Sequence, residues 1–80
     1  MNEKSIIFRD SEPLKVFTDL ASYHRFMMAG PATREYLRVG DILHWVTKFN
    51  PWQIFNEDGY WEAIPIEEVP PALRAWSLIL

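Results

Sequence analysis

The chain contains no cysteine, so neither a disulfide framework nor a thiolate metal site can hold it together, and its stability has to come from packing. It has only three glycines, Gly30, Gly40 and Gly59, and no phosphate-cradling glycine loop, dinucleotide fingerprint or nucleophile elbow. Its two histidines, His24 and His44, lack a second histidine or a carboxylate at a ligand spacing such as i,i+4, which argues against a zinc site. No apolar run approaches the roughly 20 residues of a membrane span, and the first nine residues lack the longer apolar stretch of a secretory signal. A soluble cytoplasmic protein with no membrane partner and no cofactor is expected.

Basic runs are missing too. The net charge is −3 and its distribution is uneven, because Arg74 stands alone after position 48 against Glu57, Asp58, Glu62, Glu67 and Glu68. Nucleic-acid binders draw much of their affinity from phosphate neutralisation by a basic patch, so direct nucleic-acid binding is not expected. The remaining partner class is a protein or nucleoprotein.

What the 80 residues do contain is apolar and aromatic bulk: a hydrophobic fraction of 49% with twelve Phe, Trp and Tyr side chains. That is the composition of a folded protein and not of a disordered one, and the length suits a single domain, residues 1–80, with a small core. Six of the twelve aromatics, Trp45, Phe49, Trp52, Phe55, Tyr60 and Trp61, fall within 17 positions around Asn56-Glu57-Asp58-Gly59.

Local signals predict an α+β fold. Residues 5–9 and 14–17 read as a small N-terminal hairpin around an Asp10-Ser11-Glu12-Pro13 turn. Thr18 is placed to cap a main helix over 19–29, with Asp19 in its first turn and Gly30-Pro31 as its stop. Leu20, Ala21, Tyr23, Met27 and Met28 form its apolar stripe. Residues 31–38 suit a short second helix on which Arg34 and Arg38 share a face, a pattern suited either to an acidic partner or to a solvated surface paired with Glu35.

A three-strand meander follows, over 42–49, 52–55 and 60–64, broken at Asn50-Pro51 and turned at Asp58-Gly59. Glu67-Glu68 and the prolines at 70 and 71 introduce a short C-terminal helix through Trp76, with 77–80 extending it or adding a strand. Val39-Gly40-Asp41 entering a strand and Gly59-Tyr60-Trp61 before Ile64-Pro65 resemble parts of small SH3-like barrels, but the spacing of a full barrel is missing and no family is assigned.

Strand parity sorts the meander. Ile42, His44 and Val46 share one face with Lys48, while Leu43, Trp45 and Phe49 share the other with Thr47, so neither is wholly polar. Such a sheet is covered on both sides or exposes an apolar patch. In the first arrangement helix 19–29 covers one face and the N-terminal hairpin or the segment around Trp76 covers the other. In the second, one face stays open to a partner through Trp52, Phe55, Tyr60 and Trp61, with Glu57, Asp58 and Glu62 as an acidic rim that steers a basic surface onto the aromatics.

The functional expectation is a non-enzymatic interaction module, an inhibitor or adaptor that acts by occupying a macromolecular partner. Its size, charge and linker-free ends resemble the short accessory proteins of bacteriophages and mobile elements. Two alternatives stand beside it: a ligand-binding or catalytic pocket lined by Trp45, Trp52 and Trp61 with His44 as its polar group, and a homodimer formed through an open sheet face.

Overall fold

A computed structural model describes residues 4–45 and 52–74. The expectations for 46–51 and 75–80, among them the second half of strand 42–49, the Asn50-Pro51 break, Phe49, Trp76 and the 77–80 extension, lie outside the described residues. Within them the fold is α+β, built as a five-stranded antiparallel sheet in the order β2-β1-β3-β4-β5. The strands are β1 (Ser5–Arg9), β2 (Glu12–Phe17), β3 (Ile42–Trp45), β4 (Trp52–Phe55) and β5 (Trp61–Ala63). Helices α1 (Leu20–Met27) and α2 (Pro31–Tyr36) lie between β2 and β3, and a single 3-10 turn (Ile66–Glu68) and α3 (Pro71–Arg74) follow β5.

The hairpin and the meander are therefore one sheet, joined where β1 pairs with β3 through Ser5–Trp45, Ile6–His44, Ile7–Leu43 and Phe8–Ile42. Apolar residues fill β1 because it is a central strand, buried on both faces. Its turn is shorter than the sequence suggests: Asp10 and Ser11 alone form it, at φ of 54° and 64°, as a two-residue hairpin loop with both residues left-handed requires. Glu12 and Pro13 already belong to β2. Pro13 is tolerated because β2 is an edge strand, and the register shifts beside it, from Ile7–Lys15 to Phe8–Pro13.

Both faces are covered by the chain itself. On the first, Ile6, Phe8, Ile42 and Trp52 pack with Ile64, Val69 and Leu73 from the C-terminal segment. On the second, Ile7, Phe17, Leu37, Leu43, Trp45 and Phe55 pack under Tyr23, Phe26 and Met27 of α1. Tyr23 meets Trp45 edge-on, with ring centroids 4.7 Å apart, and burial pushes its phenol up to about 12. Phe26, whose ring lies tilted against Phe17 with centroids 5.2 Å apart, is a packing residue of α1, while Leu20 in its first turn and Met28 at its C-cap are exposed.

The cap of α1 is Asp19 and not Thr18. Asp19 has extended backbone dihedrals and its carboxylate accepts the Ser22 N–H at 2.7 Å, a bond that holds the carboxyl below the ordinary carboxylate range. Helix α2 stops at Tyr36 with Leu37 extended, so Arg38 is not a helical residue and shares no helix face with Arg34. The C-terminal helix opens at Pro71, and Arg74 ties it back through Nε to the Val69 carbonyl at 2.9 Å and Nη2 to the Glu67 carbonyl at 2.8 Å.

Candidate interaction site

The seven residues singled out around the 52–62 hairpin separate into core and surface. Trp52 is 2% exposed and Phe55 is 7% exposed, because their parity puts each against a covered face. Both pack in the core instead of standing on the open aromatic face that was expected, and Phe55 reaches the surface only where it lines a groove beside the turn. Trp61 is half-buried edge-on against Phe55 at 5.1 Å, and its Nε1 is enclosed without a hydrogen-bond partner among the described residues. Tyr60, at 69% exposed, is the large aromatic of the set that faces solvent.

The acids also divide. Glu62 pairs with Ile54 across β4–β5 and so shares that residue's face, whereas Trp61 pairs with Phe55 on the opposite one. Glu57 and Asp58 sit in the turn itself, exposed, and only they adjoin Tyr60.

That turn is built around Asn56. Its Oδ1 accepts the N–H groups of Asp58 and Tyr60, each at 3.0 Å, while its own N–H donates to the Tyr60 carbonyl at 2.9 Å. Gly59, at φ of 84°, supplies the left-handed residue that lets the chain reverse. With the Gly59 N–H, which donates to the Asn56 carbonyl at 3.1 Å, four hydrogen bonds involving Asn56 hold the turn and fix Asp58 relative to Tyr60.

Beside this turn runs a groove of about 260 Å³. Met27, Gly30, Thr33 and Leu37 form one wall, at the corner between α1 and α2, and Phe55, Gly59 and Tyr60 form the other. The hydroxyl of Thr33 donates to the Phe26 carbonyl, which leaves the groove a mainly apolar surface. The sequence marks Met27 and Gly30 as parts of a helix and its stop, and none of Met27, Gly30, Thr33 and Leu37 as a site residue, since what joins them to Tyr60 is tertiary packing between elements more than twenty positions apart.

A second, more open depression of about 360 Å³ lies between β2 and α1, lined by Lys15, Phe17, Arg25 and Phe26 among others. The Lys15 ammonium sits over the Phe17 and Phe26 rings at 5.7 and 5.4 Å. A lysine, a proline and a register shift on an edge strand are the devices by which sheets avoid adding a foreign strand, and the other edge, β5, is three residues long. Strand addition is a poor route to partnership here.

The expected tryptophan pocket does not assemble. Trp45 and Trp61 lie on one face of the sheet and Trp52 on the other, and neither groove described above is lined by a tryptophan. His44 is stacked on Trp52 with ring centroids 4.1 Å apart and is 2% exposed. Neither of its nitrogens has a hydrogen-bond partner among the described residues, and burial lowers its pKa.

His44 sets a pH dependence. Its neutral form is favoured in the fold, while the unfolded chain takes up the proton at its ordinary value near 6.5, so stability is full above about pH 6.5 and falls as the pH drops below it. The urea midpoint is expected to decline between about pH 6.5 and 5, and His44→Leu is expected to flatten that part of the profile. A histidine-independent slope across this window would contradict the assignment. His24, by contrast, is exposed on α1.

Among the described residues no group of three His, Asp or Glu is placed to hold a metal ion, and no helix is long and apolar enough to cross a membrane. Comparison of the chain with protein-family models, with curated proteins and with solved structures gives no match.

Proposed function

We propose that the protein is a non-enzymatic interaction module, an inhibitor or adaptor, which works by occupying a protein or nucleoprotein partner through the corner formed by the 56–60 turn and the α1–α2 junction. The observation that carries this reading is Tyr60: a large aromatic left 69% exposed on a rigid turn, at the lip of an apolar groove. Elsewhere in the hairpin aromatics are used to build the core, and leaving this one in water forgoes a few kcal/mol at about 25 cal/mol per Å² unless a partner buries it. Tyrosine suits that role because its ring is rigid and its hydroxyl provides a polar contact at the margin of an interface.

Sheet–sheet dimerisation is a weaker reading, because the sheet's two faces are already occupied by α1 and by the 64–74 segment. The test is affinity capture from cell lysate with the intact protein and with Tyr60→Ala, whose fold is checked by circular dichroism. Tyr60→Ala is expected to cost less than about 1 kcal/mol of stability, as surface substitutions do, and to lose the proteins held by the intact chain. A folded variant that retains every partner, or an intact chain that captures none specifically, would overturn the proposal.

A further inference from the structure

We infer that the groove beside Tyr60 receives one bulky apolar side chain from a partner segment that carries lysine or arginine next to it. The inference rests on the interaction reading above and deepens it by naming the chemistry of what is bound.

The walls supply the apolar half. Leu37 and Phe55, 5% and 7% exposed, are the buried apolar residues of the groove's two walls, with Met27 beside the first and exposed Tyr60 beside the second. Methionine is unbranched and polarizable and adapts to different apolar shapes, so the wall suits an inserted aliphatic or aromatic side chain without demanding a single one. Gly30 and Gly59 line opposite walls, and a Cβ at either would meet nothing within 4 Å, so the space beside both is open.

The rim supplies the charge. Glu57 and Asp58 precede Gly59 and Tyr60 directly, and the Asn56 hydrogen bonds to the Asp58 and Tyr60 N–H groups hold acids and groove in one rigid unit. The 56–60 turn itself contains no basic residue; Arg74 is engaged with the Glu67 and Val69 carbonyls, and exposed Arg38 follows Leu37 on the other side of the groove. The negative field at the turn thus favours a basic residue flanking the inserted side chain, and opposes an acidic one. An apolar anchor ringed by complementary charge is the common arrangement of a peptide seated in a groove.

The test uses three short fluorescein-labelled peptides of one design: leucine anchor with flanking lysines, leucine anchor with flanking glutamates, and alanine in place of the leucine with flanking lysines. Fluorescence anisotropy with the full chain is expected to give binding of the first at least about tenfold tighter than either of the others, weakening as salt rises from about 0.05 to 0.5 M. The double variant Glu57→Lys/Asp58→Lys is expected to remove the preference for lysine flanks while leaving the leucine requirement in place. Tyr60→Ala is expected to weaken the leucine peptide regardless of its flanks.

Equal binding of lysine- and glutamate-flanked peptides, binding that does not need the leucine, or no binding of any peptide would overturn the inference. Should that happen while lysate capture still depends on Tyr60, the interaction reading stands and only the partner's chemistry is wrong. Should capture be independent of Tyr60, the interaction reading itself fails.

Discussion

Replacing Trp52 with alanine is expected to lower the melting temperature by roughly 15–30 °C, or to abolish a cooperative transition altogether. The indole is 2% exposed, stacks on His44 at 4.1 Å and lies 6.3 Å from the Phe8 ring, in the cluster that the C-terminal segment closes. Removing a buried Trp or Phe typically costs about 3–5 kcal/mol, from lost transfer energy together with the cavity left behind. At about 0.05–0.15 kcal/mol per residue the domain as a whole is worth roughly 4–12 kcal/mol, so the loss is a large share of the total. The contrast with Tyr60→Ala is the informative part, since two aromatics eight positions apart on one hairpin are expected to differ several-fold in what they contribute to folding. Thermal unfolding followed by circular dichroism separates them.

The second large effect concerns a contact outside the aromatic cluster. Asp41 is buried just before β3 and its carboxylate accepts three hydrogen bonds: Arg9 Nε at 2.9 Å, Arg9 Nη2 at 2.7 Å and the Arg38 backbone N–H at 2.9 Å. Arg9 also donates from Nη2 to the Tyr36 carbonyl at 2.8 Å and lies over the Tyr36 ring. One bidentate pair thus locks the end of β1, the end of α2 and the entry to β3 together.

Asp41→Ala is expected to cost about 3 kcal/mol in urea unfolding, the lower end of the range for breaking a buried pair, because the Arg9 side chain it strands is 23% exposed and can reach water. Asp41→Asn, which keeps an acceptor for part of the network, is expected to lose about half as much. An Asp41→Ala protein as stable as the parent would mean that the pair forms no part of the fold in solution.

Which features could be read from the residues follows from how local their causes are. The β4–β5 hairpin is legible from the Asp58-Gly59 turn signal between two apolar runs, whereas the hydrogen bonds that Asn56 Oδ1 accepts emerge only from the structure. Helix α1 was legible from its spacing and its Gly30-Pro31 stop, and its cap was misplaced by one residue because Thr18 and Asp19 are both capping residues and only backbone geometry chooses between them. Parity divides β3 into Ile42 and His44 against Leu43 and Trp45, and leaves two outcomes, cover on both faces or an exposed apolar patch, between which the packing chooses the first.

Parity does not say who provides the cover, and so it does not place Trp52 and Phe55 in the packed core. Their burial depends on α1 and on Ile64, Val69 and Leu73 returning across the sheet, contacts that no local pattern announces. The same holds for β1, which sits centrally only because β3 joins it from more than thirty positions away, and for Arg9 with Asp41. It holds as well for the groove, whose two walls come from the α1–α2 corner and the β4–β5 turn.

The aromatic cluster therefore serves two ends that the residue types alone leave undivided: among its described members Trp45, Trp52 and Phe55 are core, and Tyr60 on an acidic turn is surface. Hydroxyl-radical footprinting of the native protein, read residue by residue by mass spectrometry, tests that division most directly. The predicted result is fast modification of Tyr60 and Met28, with Trp45, Trp52 and Phe8 protected until the protein is unfolded. Modification of Trp52 at a rate comparable to Tyr60 in the folded state would contradict it, and would return the sheet to an open face awaiting a partner.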